Sequence, residues 1–235
     1  MNLFGMVGVT ARLNALAIVP YMRWSQVMEK VDAHHRTETL QGFQDLQLGL
    51  RYILTNAAVG PGRRIFLGVN VAFPTAPSYS TNPFGPAADT VKHRHFALGT
   101  GATVATIYGE WWQRSEFPWV TGVLVRYTTG LNESSLGFKP GPQLGLDLHA
   151  IGQSYQVWHA YPYLIVRTRW QGRDVWADVP APNSGGFFLE GSAGLNLELT
   201  ESVSGVIRFS GPLWSQVRGA QQSARGVDLT LRFIR

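Results

Sequence analysis

The stretch NSGGFFLEGSAGLNLELTESVSGVIRFSGPLW, residues 183–214, decides how this chain is read. Leu189, Ala193, Leu195 and Leu197 alternate with Glu190, Ser192, Gly194, Asn196 and Glu198. After Thr200–Glu201 the alternation resumes, with Val203, Ile207, Phe209 and Leu213 against Ser204, Arg208 and Ser210. Successive side chains of a strand point to opposite faces, so this spacing predicts a long hairpin with one apolar and one polar face. The end of the chain repeats it. In GVDLTLRFI, 226–234, Val227, Leu229, Leu231 and Phe233 fall on one face, and Asp228, Thr230 and Arg232 on the other.

The same period runs upstream through Leu46–Leu54, Ile65–Phe73, Val123–Tyr127 and Leu144–Leu148. It predicts strands at about 2–10, 12–28, 43–55, 64–75, 94–112, 118–129, 141–151, 155–170, 186–199, 202–213 and 224–234. These suit the 9–11 residues that a tilted strand needs to cross a bilayer. Alternation alone does not say whether the apolar face meets a core or lipid.

Three further patterns choose lipid. Short connections near Ala11, at 55–63, 113–117, 152–154 and 200–201 alternate with longer ones at 29–42, 76–93, 131–140, 171–185 and 214–223. Membrane barrels have short periplasmic turns and longer extracellular loops, whereas a soluble sandwich has no reason for the asymmetry. Aromatics gather at the strand ends: Trp111, Trp112, Trp119, Trp158 and Phe233 at short turns, and Tyr21, Trp24, Tyr127 and Trp170 at long loops. These are read as two lipid-interface belts. Finally, charged residues are 15% of the chain, below the roughly 25% of ordinary soluble domains. The expected fold is all-β, a transmembrane antiparallel up-and-down barrel of about 12 strands, forming a single domain over 1–235.

No run of about 18 apolar residues occurs, which excludes a transmembrane helix. The chain has no cysteine and a net charge of +5. No Lys/Arg run exceeds two residues, which argues against nucleic acid as a partner. The start, MNLFGMVGVT, has no basic n-region and no small-residue cleavage site. Eleven strands place the two ends on opposite sides of the membrane, whereas single-chain bacterial barrels have even strand numbers. The expectation is therefore a twelve-stranded barrel whose first strand is either absent before Met1 or not recognised in the sequence, the alternative being a strand count wrong by one.

The polar face becomes the lumen wall. Arg51, Arg126, Arg167, Arg169, Arg208 and Arg232 are expected to line it with Asp45, Asp147, Glu190 and Asp228. Guanidinium groups stay charged at any relevant pH, so an Arg ring would favour anions. Oppositely charged pairs could equally fill and rigidify the lumen. Small residues such as Gly49, Gly68, Gly122, Gly145 and Gly194 leave room in a crowded interior.

The chain also resembles the outer-membrane proteins of the "MetA-pathway of phenol degradation" putative transporter family. The likeness is carried by VTARLNALAIVPYMR (9–23), FQDLQLGLRYIL (43–54), RIFLGVNVAFPT (64–75), the 183–214 hairpin and GVDLTLRF (226–233). Gln44, Ala11 and the final Ile234–Arg235 depart from the family's usual pattern. The resemblance implies a channel or transporter, with a terminal aromatic read by the barrel-insertion machinery.

Enzymatic readings find little support. No G-x-S-x-G occurs, and neither His149 nor His159 has a neighbouring lipid-facing Ser. His34, His35, His93 and His95 are read as solvated loop residues, so no metal and no cofactor are expected. The expected partners are the lipid bilayer, the insertion machinery and a small-molecule solute, with anions or aromatic acids favoured. The alternative is a plugged barrel that anchors or sheathes another envelope protein.

Overall fold

Strands form where apolar and polar residues alternate, because each then buries one kind of surface against one environment. The computed structural model describes residues 2–26, 38–56, 60–78, 97–115, 119–152, 159–219 and 225–233. Among them the chain forms no α-helix. Its strands are β1 (Asn2–Gly8), β2 (Leu13–Gln26), β3 (Glu38–Phe43), β4 (Gln47–Asn56), β5 (Gly62–Ala72), β6 (Val104–Arg114), β7 (Trp119–Gly130), β8 (Phe138–Lys139), β9 (Gln143–Gly152), β10 (Ala160–Gln171), β11 (Val175–Trp176), β12 (Val179–Pro180), β13 (Gly186–Thr200), β14 (Val203–Val217) and β15 (Gly226–Phe233).

The main sheet runs β1-β2-β4-β5-β6-β7-β9-β10-β13-β14-β15, each strand antiparallel to the next. Sequence neighbours pair throughout, which is up-and-down topology. β3 and β4 together fill one position. β3 pairs with Tyr21–Gln26 of β2 and β4 with Leu13–Ile18, and the strand breaks between them at residues 44–46. The path therefore has the eleven positions that the periodicity predicts.

The outer face is apolar and exposed. Leu48, Leu50, Tyr52 and Leu54 on β4, Leu164 and Val166 on β10, and Val227, Leu229, Leu231 and Phe233 on β15 all point outward. So many exposed large hydrophobics on one continuous face would aggregate a soluble protein; lipid satisfies them. Aromatics stand at the rims. Tyr21 packs edge-on against Phe43 at 5.4 Å and Phe187 against Trp214 at 5.6 Å, near the long connections, where Tyr127 and Trp170 also face outward. Trp111 and Phe233 face outward near the short turns.

Two features depart from the sequence reading. The strand expected over 94–112 begins only at Val104. Residues 97–103 instead fold onto the inner wall, where Leu98 packs with Leu40, Ala76 and Met22. The connections 131–142 and 172–185 also carry structure. They form a small sheet, β12-β11-β8, with Phe138 edge-on to Trp176 at 5.2 Å. The β11–β12 hairpin turns at Ala177 and Asp178, with φ of 44° and 65°. Positive φ at both central positions matches the twist of a two-residue hairpin, although neither residue is glycine.

No ladder joins β1 to β15 in the described sheet. With eleven alternating positions these two strands run in the same direction. Phe4 and Met6 pair with the inward-facing Ile18 and Leu16 and are more exposed than those two partners.

Candidate functional site: the lumen wall

Residues paired across an antiparallel sheet share a face, so the registers sort the inner wall into rows. Toward the long connections runs an uncharged, mostly polar row: Leu16, Gly49, Asn70, Thr106, Thr128, Gln143 and Gln171. The Thr106 and Thr128 hydroxyls lie 2.8 Å apart. Next comes a basic row of Arg51, Gly68, Tyr108, Arg126, Gly145, Arg169 and Phe188. Below it lies an acidic row of Phe66, Glu110, Leu124, Asp147, Arg167 and Glu190. A further row holds Arg64, Trp112, Gly122, His149, Ile165 and Ser192. The next carries Arg114, Val120, Ile151, Tyr163, Gly194, Arg208 and Asp228.

The expected Arg ring is therefore not one ring. Arg51, Arg126 and Arg169 share a row, Arg167 lies in the acidic one and Arg208 lies farther toward the short turns. Most of these cations are paired. Arg51 grips Glu110 in bidentate fashion, Nε to Oε1 at 3.1 Å and Nη2 to Oε2 at 2.7 Å, and lies 3.7 Å above the Phe66 ring. Asp147 is 1% exposed and accepts from both Arg126 and Arg167, the latter through Nε at 3.1 Å. Arg208 donates to Asp228 at 2.8 Å. Two guanidiniums on one carboxylate offset its desolvation.

The inner glycines set where the large side chains lie. A Cβ on Gly68 would overlap Tyr108, one on Gly122 would overlap the Trp112 indole, and one on Gly145 would sit 2.9 Å from Arg126 Nε. Each glycine is a slot into which the neighbouring strand's side chain folds, flat along the wall. The ion pairs above likewise join adjacent or next-adjacent strands, so they line the wall.

Three sequence expectations need correction or sharpening. Trp112 does not belong to the lipid belt. It faces inward, donates to Glu110 Oε2 at 2.9 Å and stacks on His149 with ring centroids 5.1 Å apart. Consecutive strand residues face opposite ways, so Trp111 and Trp112 could not both touch lipid. Asp45 is not an open lumen charge. It is buried at the β3–β4 break, where its carboxylate accepts from Ala76 N at 3.1 Å, Thr100 N at 2.9 Å and Thr100 Oγ1 at 3.2 Å. Its work is to pin the inward segment 97–103, together with Gln44, whose Nε2 donates to Leu98 O. Glu110 was not expected at the site, although Tyr108, Glu110 and Trp112 alternate visibly with Ile107, Gly109 and Trp111.

Trp119 is partly buried on the outer-face register of β7. Trp158 and the loop histidines 34, 35, 93 and 95 lie outside the described residues, as do the side chains of Trp24 and Arg232. Toward the short turns lies a cavity of about 370 Å³, lined by Arg64, Trp112, Arg114, Tyr161, Asn196 and Glu198.

An antiparallel up-and-down sheet, apolar outside, ionic inside and ringed by aromatics, is the architecture of a membrane-spanning β-barrel. Among solved structures the chain is similar to an outer membrane channel from Pseudomonas putida F1, with a TM-score of 0.73 at 13% identity. The match covers 99% of this chain and 80% of that one. No family model matches the chain, and no curated protein matches it.

Proposed function

We propose that the chain is a bacterial outer-membrane channel for the passive passage of small solutes. The observation that carries this reading is the disposition of the lumen side chains. They are charged and folded along the wall, as a water-filled path requires and a solid core does not. The likeness in fold to a known outer membrane channel supports it. The described lumen rows hold Arg51, Arg126, Arg167, Arg169 and Arg208 against Glu110, Asp147, Glu190 and Asp228, and the cavity toward the short turns is lined by Arg64 and Arg114 with Glu198. The surplus is positive, which favours anions modestly. The lipid bilayer is the surrounding partner, and the terminal β15, ending in Phe233, is the segment that the barrel-insertion machinery would read.

A plugged structural barrel is the second reading. The inward segment 97–103, pinned by Asp45, favours it, because it narrows the lumen at the long-loop end. Liposome swelling separates the two. Proteoliposomes in an isosmotic neutral pentose should swell faster than protein-free liposomes; swelling at the protein-free rate would overturn the channel reading in favour of the plug.

A further inference from the structure

Among the described lumen charges, Arg51 is closed on Glu110, Arg126 and Arg167 on Asp147, and Arg208 on Asp228. Arg169 and Glu190 are different. Arg169 makes no hydrogen bond, its Nε is buried without a partner, and its guanidinium rests 4.4 Å above the Phe188 ring. Glu190 stands on the next strand, opposite Arg167, near enough to act on Arg169 through its field, yet no hydrogen bond or ion pair holds it. The two are diagonal neighbours on the inner wall, one in the basic row and one in the acidic row.

We propose that Arg169 and Glu190 form a binding site for a small zwitterion, with an anionic group on the Arg169 guanidinium and a cationic group on the Glu190 carboxylate. A simple anion at Arg169 meets the field of Glu190. A simple cation at Glu190 meets Arg169 and Arg167. A solute carrying both charges meets neither penalty and satisfies two half-buried groups that no hydrogen bond or ion pair otherwise holds. This deepens the channel reading by naming a solute class, and depends on it only for access to the lumen.

The probe is glycine, with acetate and methylammonium as single-charge controls, titrated against the purified, folded protein in detergent micelles by saturation-transfer NMR. Glycine should bind at least about tenfold more tightly than either control. Arg169→Gln and Glu190→Gln should each weaken glycine about tenfold, and Glu190→Gln should strengthen acetate. Neither change breaks an existing ion pair, and heat-dependent gel mobility confirms that each variant is folded. Arg169→Lys, which keeps the charge, should retain part of the glycine affinity. Equal binding of glycine and acetate, or glycine binding unchanged in both Gln variants, would overturn the site. Glycine binding without liposome swelling would sink the channel and leave the site standing; swelling without glycine preference would do the reverse.

Discussion

At the scale of single residues, two positions hold the lumen wall together. Gly122 is the slot for the Trp112 indole, and a larger side chain there has nowhere to go while the ring stays flat. Gly122→Leu should turn Trp112 toward the lumen axis and lower solute flux severalfold, with the outer surface untouched. Flux equal to the parent protein would show that the ring's position does not set the aperture. Asp147 is the common acceptor of Arg126 and Arg167. Asp147→Ala leaves two guanidiniums facing each other without a counter-charge. The expected loss is about 3 kcal/mol, at the low end for removing one member of a buried pair, because both arginines remain about a third exposed. Urea unfolding in micelles measures it, and the same variant should raise anion preference.

At the scale of elements, the β3–β4 break is the feature with the largest consequence. It frees Asp45 from the alternation and turns its carboxylate onto the backbone of 97–103. Asp45→Ala removes a charged acceptor from two amides, each such bond contributing roughly 1.5–3 kcal/mol. Hydrogen exchange at Ala76 and Thr100 should accelerate by at least about tenfold. Unchanged exchange would mean that apolar packing of Leu98 alone holds the segment. The strands themselves were legible in the sequence, because period-two alternation is local and lipid on one side keeps it clean. The break, the inward segment and the loop sheet were not, since each is fixed by contacts between residues distant along the chain. The alternation sets the charged residues on the polar face, apart from Asp45, which the β3–β4 break takes out of it. Their pairing was hidden, because which Arg meets which acid depends on register between strands. Asp147 meets Arg126 and Arg167 only when β7, β9 and β10 stand in their observed alignment. Trp112 was the avoidable error, since its neighbour Trp111 already claimed the outer face.

At the scale of the whole molecule, the seam between β1 and β15 and the path through the lumen remain. Two edges running in the same direction cannot close by antiparallel pairing with each other. Closure of the wall requires both edges to be paired, and two edges running the same way can pair directly only in parallel. Unpaired edges in hydrocarbon cost several kcal/mol per group, so in membranes the amides of 2–8 and 226–233 should exchange as slowly as those of β7. Fast exchange along either edge would contradict a closed wall. The central claim, that a charged aqueous path crosses the protein, is tested most directly in planar bilayers. Under a potassium chloride gradient the account predicts discrete single-channel steps and a reversal potential displaced toward chloride. Silent membranes with verified insertion, or a reversal potential displaced toward potassium, would contradict it.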